Sequence, residues 1–256
     1  MGKYNSSEWR VAPVFNALCD RDPIGASWLP RLAALGGRAD SKLAALLQGL
    51  HAPLERCWGD KERALPAPQA LLEWLVENPS QLTPVPSGDT SAAAAKRRAF
   101  VAGDQTLLDD ARTGLRSRKR GKEWWVFEGP SYPDAYLETP RVRLVVEGKF
   151  TEPGATTHTT WMKRRHQMLR HMDAAFDDRG ERAVLGMMIV EGSDPDRSLV
   201  PAKWDAYVRE LLSADAVAAS LPHRSPSDRE LLASGFLGVT TWDRVANEFG
   251  LTLRSA

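Results

Sequence analysis

The chain has 256 residues, 43% of them apolar, and a formal charge of +1, which suits one large or two small globular domains and leaves any nucleic-acid contact to a local basic patch. Its two cysteines, Cys19 and Cys57, stand far apart without metal-ligand spacing and read as reduced thiols, with room for one disulfide at most. The longest apolar run, 183–190, is much too short to span a membrane and residues 1–10 carry no apolar signal region, so a cytoplasmic protein with no membrane partner is expected.

Residues 1–85 read as a helical N-terminal segment. Asn5 can cap a first helix, with Glu8 three residues on in a capping-box-like arrangement. Trp9, Val11, Val14, Phe15 and Leu18 follow at roughly helical spacing. Further helices are expected over 28–35, 42–50 and 68–76, the first ended by Gly36-Gly37. The stretch 83–90, Thr-Pro-Val-Pro-Ser-Gly-Asp-Thr, is the clearest linker. Residues 91–116 are Ala-rich and helical, with an interruption near Gly103.

Six basic residues lie among the eleven of 112–122: Arg112, Arg116, Arg118, Lys119, Arg120 and Lys122. Such a cluster can neutralise phosphates, and it equally describes a solvated loop. Glu123-Trp-Trp-Val-Phe-Glu128 is aromatic and β-branched, a strand pattern with Trp124, Val126 and Glu128 on one face. Glu128 at its end reads either as a further acid near the next strand or as a surface residue.

The informative stretch is 133–149, Pro-Asp-Ala-Tyr-Leu-Glu-Thr-Pro-Arg-Val-Arg-Leu-Val-Val-Glu-Gly-Lys. It reads as a hairpin with its turn at Thr139-Pro140 and a buried second strand around Leu144-Val145-Val146. Period-two alternation puts Glu147 and Lys149 on one face and Gly148 on the other. Asp134, on the adjacent strand, can meet Glu147 across the ladder. Two carboxylates that close repel, and buried charge is costly unless paired or bound to metal, so the pair invites a hard divalent cation, Mg²⁺ or Mn²⁺. Lys149 would add a point charge toward a phosphate or position a water.

After a loop containing Glu152, a helix is expected over about 159–176. Trp161, Met168, Leu169 and Met172 mark its buried stripe, and Lys163, Arg164, Arg165, His166, Arg170 and His171 are polar. Gln167 and His171, four apart, share a face. Arg165 and His166 read as a solvated face, with Arg165, Arg170 and His171 available to a phosphate backbone. Residues 183–190 are another buried strand, reached by that helical crossover and therefore parallel to the key strand. The acids of 191–196 read as an ordinary turn. Helices are expected over 201–212, 227–234 and 241–249; the last two, joined by a turn at 235–239 and closed by Gly250, form a packing hairpin or, less simply, a helix-turn-helix.

In this stretch the chain resembles the PD-(D/E)XK nuclease superfamily. Pro133-Asp134 matches the first half of that motif and Glu147-Gly148-Lys149 the second. The resemblance covers 123–190 and the preceding helix. It implies a restriction-endonuclease-like core over 91–195: a mixed α/β (α+β) fold with a central mixed sheet of about four strands flanked by helices, and helical additions at 1–85 and 196–256. It implies an Mg²⁺-dependent deoxyribonuclease in restriction, phage defence or repair, with DNA as partner and a homodimer compatible with cutting both strands. Asp134, Glu147 and the Gly148 carbonyl would hold the metal, and Lys149 would act on the phosphate or the water. Gln167 lies eighteen positions beyond Lys149, similar to RecB-type nucleases, in which a Gln-x-x-x-Tyr helix faces the active site; here His171 stands in the tyrosine's place. Glu128, Glu152 and Glu8 are further candidate acids, Glu8 because the superfamily often carries one on its first helix. The alternative on the same fold is a catalytically silent nucleic-acid- or protein-binding module.

Overall fold

Residues 5–50, 55–83, 85, 88–117 and 127–254 are described by a computed structural model. A π-helical turn, Ser7–Val11, runs into α1 (Ala12–Arg21), followed by α2 (Leu29–Leu35), α3 (Ser41–Leu46), β1 (Glu55–Trp58), α4 (Gln69–Glu77), α5 (Ala92–Val101) and α6 (Gln105–Arg116). Then come β2 (Ala135–Glu138), β3 (Val142–Gly148), α7 (Gln167–Phe176), β4 (Ala183–Val190), α8 (Ala202–Leu211), α9 (Ala214–Ser220), α10 (Pro226–Ser234), β5 (Phe236–Thr241) and α11 (Trp242–Phe249). Short polar side chains start many of these helices. Asp40, Ser91, Asp104, Ser213, Ser225 and Thr241 each accept a hydrogen bond from a first-turn N–H of α3, α5, α6, α9, α10 and α11. Gly250 ends α11 in the left-handed conformation at φ 59°, as its position predicts.

The five strands of the described residues form one mixed sheet in the order β1-β2-β3-β4-β5. The β1/β2 and β2/β3 pairs are antiparallel, and β3/β4 and β4/β5 are parallel. The class is the one the sequence implies, with one strand more than expected. β1 lies inside the segment read as helical. It has four residues and half-exposed positions, too short to show alternation. β5 replaces the turn expected at 235–239, so the C-terminal unit is helix–strand–helix and neither a helical hairpin nor a helix-turn-helix. Val239, Thr240 and Thr241 are β-branched, a strand signal that Gly235 and Gly238 masked. Most of the strand expected over 123–128 falls outside the described residues. Phe127 and Glu128 are described and belong to no strand.

Side chains alternate across β3 and β4 although both faces are covered. On one face α1, α2 and α11 pack Phe15, Leu32 and Trp242 over Leu144, Val146, Met187 and Ile189. On the other, α7 and α8 pack Met168, Met172 and Trp204 over Val145, Met188 and Val190. Helices α4, α5 and α6 form a third core of their own around Leu72, Phe100 and Leu115, joined by Phe127 and Met162. The expected helix over 159–176 begins only at Gln167. Before it, Thr159 Oγ1 caps a turn at the Met162 N–H (3.1 Å), and His166 is extended (ψ 133°) because Arg165 is drawn inward to an ion pair.

Candidate active site

The β2–β3 turn is fixed by Thr139, whose Oγ1 accepts from the backbone N–H groups of Arg141 (3.1 Å) and Val142 (2.9 Å). That turn sets Ala135 opposite Val146, and hence Asp134 beside Glu147 at the open end of the hairpin. Pro133 has no N–H and ends the ladder. The Asp134 carboxyl takes over there, its Oδ2 accepting the Gly148 N–H at 2.8 Å.

On β3, Glu147 and Lys149 face α7 while Gly148 faces the opposite core. A Cβ at Gly148 would lie 2.7 Å from Val11 Cγ2 and 3.0 Å from Trp242 Cζ2, so only glycine lets the first helical turn and α11 close over the strand. The Lys149 backbone is held on both sides. Its N–H donates to the Ile189 carbonyl (2.8 Å), and its carbonyl accepts from Trp242 Nε1 (2.9 Å).

α7 completes the constellation. Glu147 Oε1 accepts from Lys149 Nζ (2.6 Å) and from Gln167 Nε2 (2.7 Å), and Lys149 Nζ also donates to Gln167 Oε1 (3.2 Å). His171, one turn along, places Nε2 3.0 Å from Glu147 Oε2, with its N–H off the line of a hydrogen bond. Its Nδ1 lies 2.6 Å from Ser131 Oγ. A cleft of about 300 Å³, lined by Lys149, Phe150, Glu152, Glu191 and Trp204, opens at the carboxyl ends of β3 and β4, where open α/β sheets bind ligands.

Burial and neighbours drive the two carboxylates apart. Burial and the adjacent Glu147 charge push the Asp134 carboxyl up to about 8, against the Gly148 N–H and Lys149; Glu62 adds to the rise. Burial would also raise Glu147, but His171 and then Lys149 outweigh it, and its carboxyl falls below the usual range. Burial would lower Lys149, yet Glu147 more than compensates, so the ammonium stays charged.

The donor set fits a hard divalent cation. Glu147 Oε2 is buried without a hydrogen-bond partner, and Asp134, opposite Glu147 in the hairpin, accepts the Gly148 N–H. Among the described residues no group of three or more His, Cys, Asp or Glu stands together. The two carboxylates on adjacent strands are the kind of donor Mg²⁺ takes from protein when waters and substrate phosphate supply the rest.

Asp134, Glu147, Gly148, Lys149 and Gln167 therefore come together. Glu152 lies on the cleft wall, its Oε2 accepting the Phe150 N–H at 2.6 Å. Glu8 is exposed and makes no ion pair among the described residues. Glu128 is neither a surface residue nor part of the site. It is 5% exposed and bound at both oxygens by Arg165 (2.8 and 3.0 Å). Arg165, fully buried, also donates to Asp173 (2.8 Å) and the Ser220 carbonyl (2.8 Å), so it cannot contact DNA. His166 is likewise buried, against Tyr207, and not on a solvated face. His171, 3% exposed, stands behind Glu147 and cannot reach a phosphate backbone. Arg170 is spent on the carbonyls of Gly129 and Pro130 and on Glu128. Arg116 is exposed, whereas Arg118, Lys119, Arg120 and Lys122 lie outside the described residues. Sequence reading missed Ser131 and Glu62. Neither carries a motif, and only the chain's return to the sheet brings them to the site. No protein-family model matches the chain, and neither a curated protein nor a solved structure matches it.

Proposed function

We propose that the protein is a metal-dependent nuclease that hydrolyses DNA phosphodiester bonds, with Mg²⁺ or Mn²⁺ held by Asp134, Glu147 and the Gly148 carbonyl. The observation that carries this reading is the convergence of three elements on one point. Asp134 comes from the entry to β2, Glu147 and Lys149 from the end of β3, and Gln167 from the start of α7. The resemblance to PD-(D/E)XK nucleases implies a core order of helix, three strands, helix, strand, and the β2–β3 hairpin, crossover helix α7 and parallel β4 follow its last four elements.

When bound, the cation would polarise the scissile phosphate and ease deprotonation of the attacking water. Lys149, kept charged by Glu147, is unsuited to act as a base. It donates to a phosphate oxygen or orients the water, stabilising the charge that builds on the phosphorane. Gln167 grips Glu147 through its amide nitrogen and Lys149 through its oxygen, holding the two against each other. Its backbone N–H donates to Thr156 (2.8 Å), so the loop after β3 is tied to the same point. Trp242 and Ile189 fix the Lys149 backbone, giving the ammonium a defined origin. Exposed Lys163, Arg164 and Arg116 remain available to phosphates beyond the scissile one.

The test is incubation of the wild type with supercoiled, linear and single-stranded DNA in Mg²⁺, in Mn²⁺ and in EDTA. Cleavage in either metal that EDTA abolishes is the expected result, and the supercoiled substrate separates endonuclease from exonuclease action. Binding without cleavage in every condition would replace this reading with that of a silent nucleic-acid-binding module.

A further inference from the structure

Ser131 and His171 extend a buried chain of polar groups from Glu147, and the roles above leave both of them unused. All three are at most 3% exposed. Ser131 is fixed by its backbone, which exchanges two hydrogen bonds with Leu65 (2.7 and 2.9 Å), so its hydroxyl has a defined aim at His171 Nδ1, 2.6 Å away. On the other side of the ring, Nε2 faces Glu147 Oε2 at 3.0 Å. A bare Nε2 lone pair there would repel a carboxylate, so the proton sits on Nε2. Nδ1 is then an acceptor and takes the Ser131 Oγ–H. Glu147 and Ser131 thus hold one tautomer together, and it presents a positive N–H to Glu147.

That N–H is offset from the carboxylate, which leaves the two oxygens of Glu147 unequal. Oε1 is engaged by two donors, whereas Oε2 has no aligned donor. A carboxylate's terminal torsion is broad, and without restraint it could rotate to bring both oxygens onto Lys149. His171 attracts Oε2 and blocks that rotation without consuming the lone pair a cation needs. We infer that His171, its tautomer held between Glu147 and Ser131, is a positioning residue that holds Glu147 ready for the divalent ion. This inference rests on the nuclease reading. Groups that orient a ligating carboxylate in this way are generally worth about 10- to 100-fold in metal affinity or activity.

The experiment compares wild type, Ser131→Ala, His171→Gln and His171→Phe in three measurements. The first is Mn²⁺ binding by titration calorimetry without DNA. The second is cleavage kinetics in Mg²⁺, resolved into kcat and KM for DNA. The third is imidazole ¹⁵N shifts. His171→Phe is expected to weaken Mn²⁺ about 10-fold or more and to lower kcat comparably with KM for DNA unchanged. His171→Gln, whose amide still donates, should restore much of the loss. Ser131→Ala should be intermediate, with the ¹⁵N shifts moving from a pure Nε2–H tautomer to a mixture. If the wild type binds Mn²⁺ and cleaves DNA but His171→Phe matches it in both, the positioning role is overturned and the nuclease reading stands. If the wild type neither binds Mn²⁺ nor cleaves, both fall together.

Discussion

Replacing Asp134 with asparagine should change how stability depends on pH. In the fold the Asp134 carboxyl titrates at about 8, because burial and Glu147 both oppose its charge. In the unfolded chain it titrates near the ordinary value of about 3.9. The folded chain therefore holds this proton more tightly. The stability it contributes is full below about pH 4 and is lost as the pH rises toward 8. One proton sets a ceiling of about 1.4 kcal/mol per pH unit, so the three units from pH 5 to 8 allow up to about 4 kcal/mol. The asparagine amide would keep an oxygen for the Gly148 N–H but cannot ionise. Urea unfolding in EDTA at pH 5 to 9 should show Asp134→Asn gaining on the wild type by up to about 3–4 kcal/mol between pH 5 and 8, then levelling. His166, which burial holds below its ordinary value, gives both proteins an opposite slope near neutrality that cancels in the difference. Mg²⁺ should flatten the wild-type curve at high pH and leave the variant unmoved. Parallel curves for the two proteins across the whole range would refute the reasoning.

Two further substitutions probe the scaffold. Arg165→Met leaves Glu128 and Asp173 buried without their shared partner and should cost about 3–5 kcal/mol in urea unfolding; a loss below about 1 kcal/mol would show that His223 and Arg224 carry Asp173 without it. Gly148→Ala forces a methyl against Val11 and Trp242 and should cost about 1–3 kcal/mol, with Mn²⁺ affinity falling because α11 also anchors the Lys149 backbone; unchanged melting would contradict the close packing described.

What the sequence revealed depended on range. The hairpin, its turn at Thr139 and the shared face of Glu147 and Lys149 follow from local alternation, and all three are present. Spacing put Gln167 on one face with His171, and the resemblance to RecB-type nucleases pointed to it as a site residue. The failures are tertiary. Arg165 sits in a stretch as polar as any solvated helix face, and nothing local announces that Glu128 and Asp173 wait for it inside. His171 shares the face of Gln167 and also reads as a phosphate contact; α7 packs on β3 and β4 and turns that face inward, which removes the second reading. β1 has no pattern of its own and is a strand because β2 offers it an edge. Ser131 reaches His171 only because its backbone pairs with Leu65, a contact 66 positions away in the chain.

The most direct test of the account is DNA cleavage in Mg²⁺ by the wild type beside Lys149→Ala and Glu147→Ala, with DNA binding measured on the same samples. The account predicts metal-dependent cutting that both substitutions abolish, while DNA binding persists. Cutting that survives either substitution, or that proceeds equally in EDTA, would contradict it.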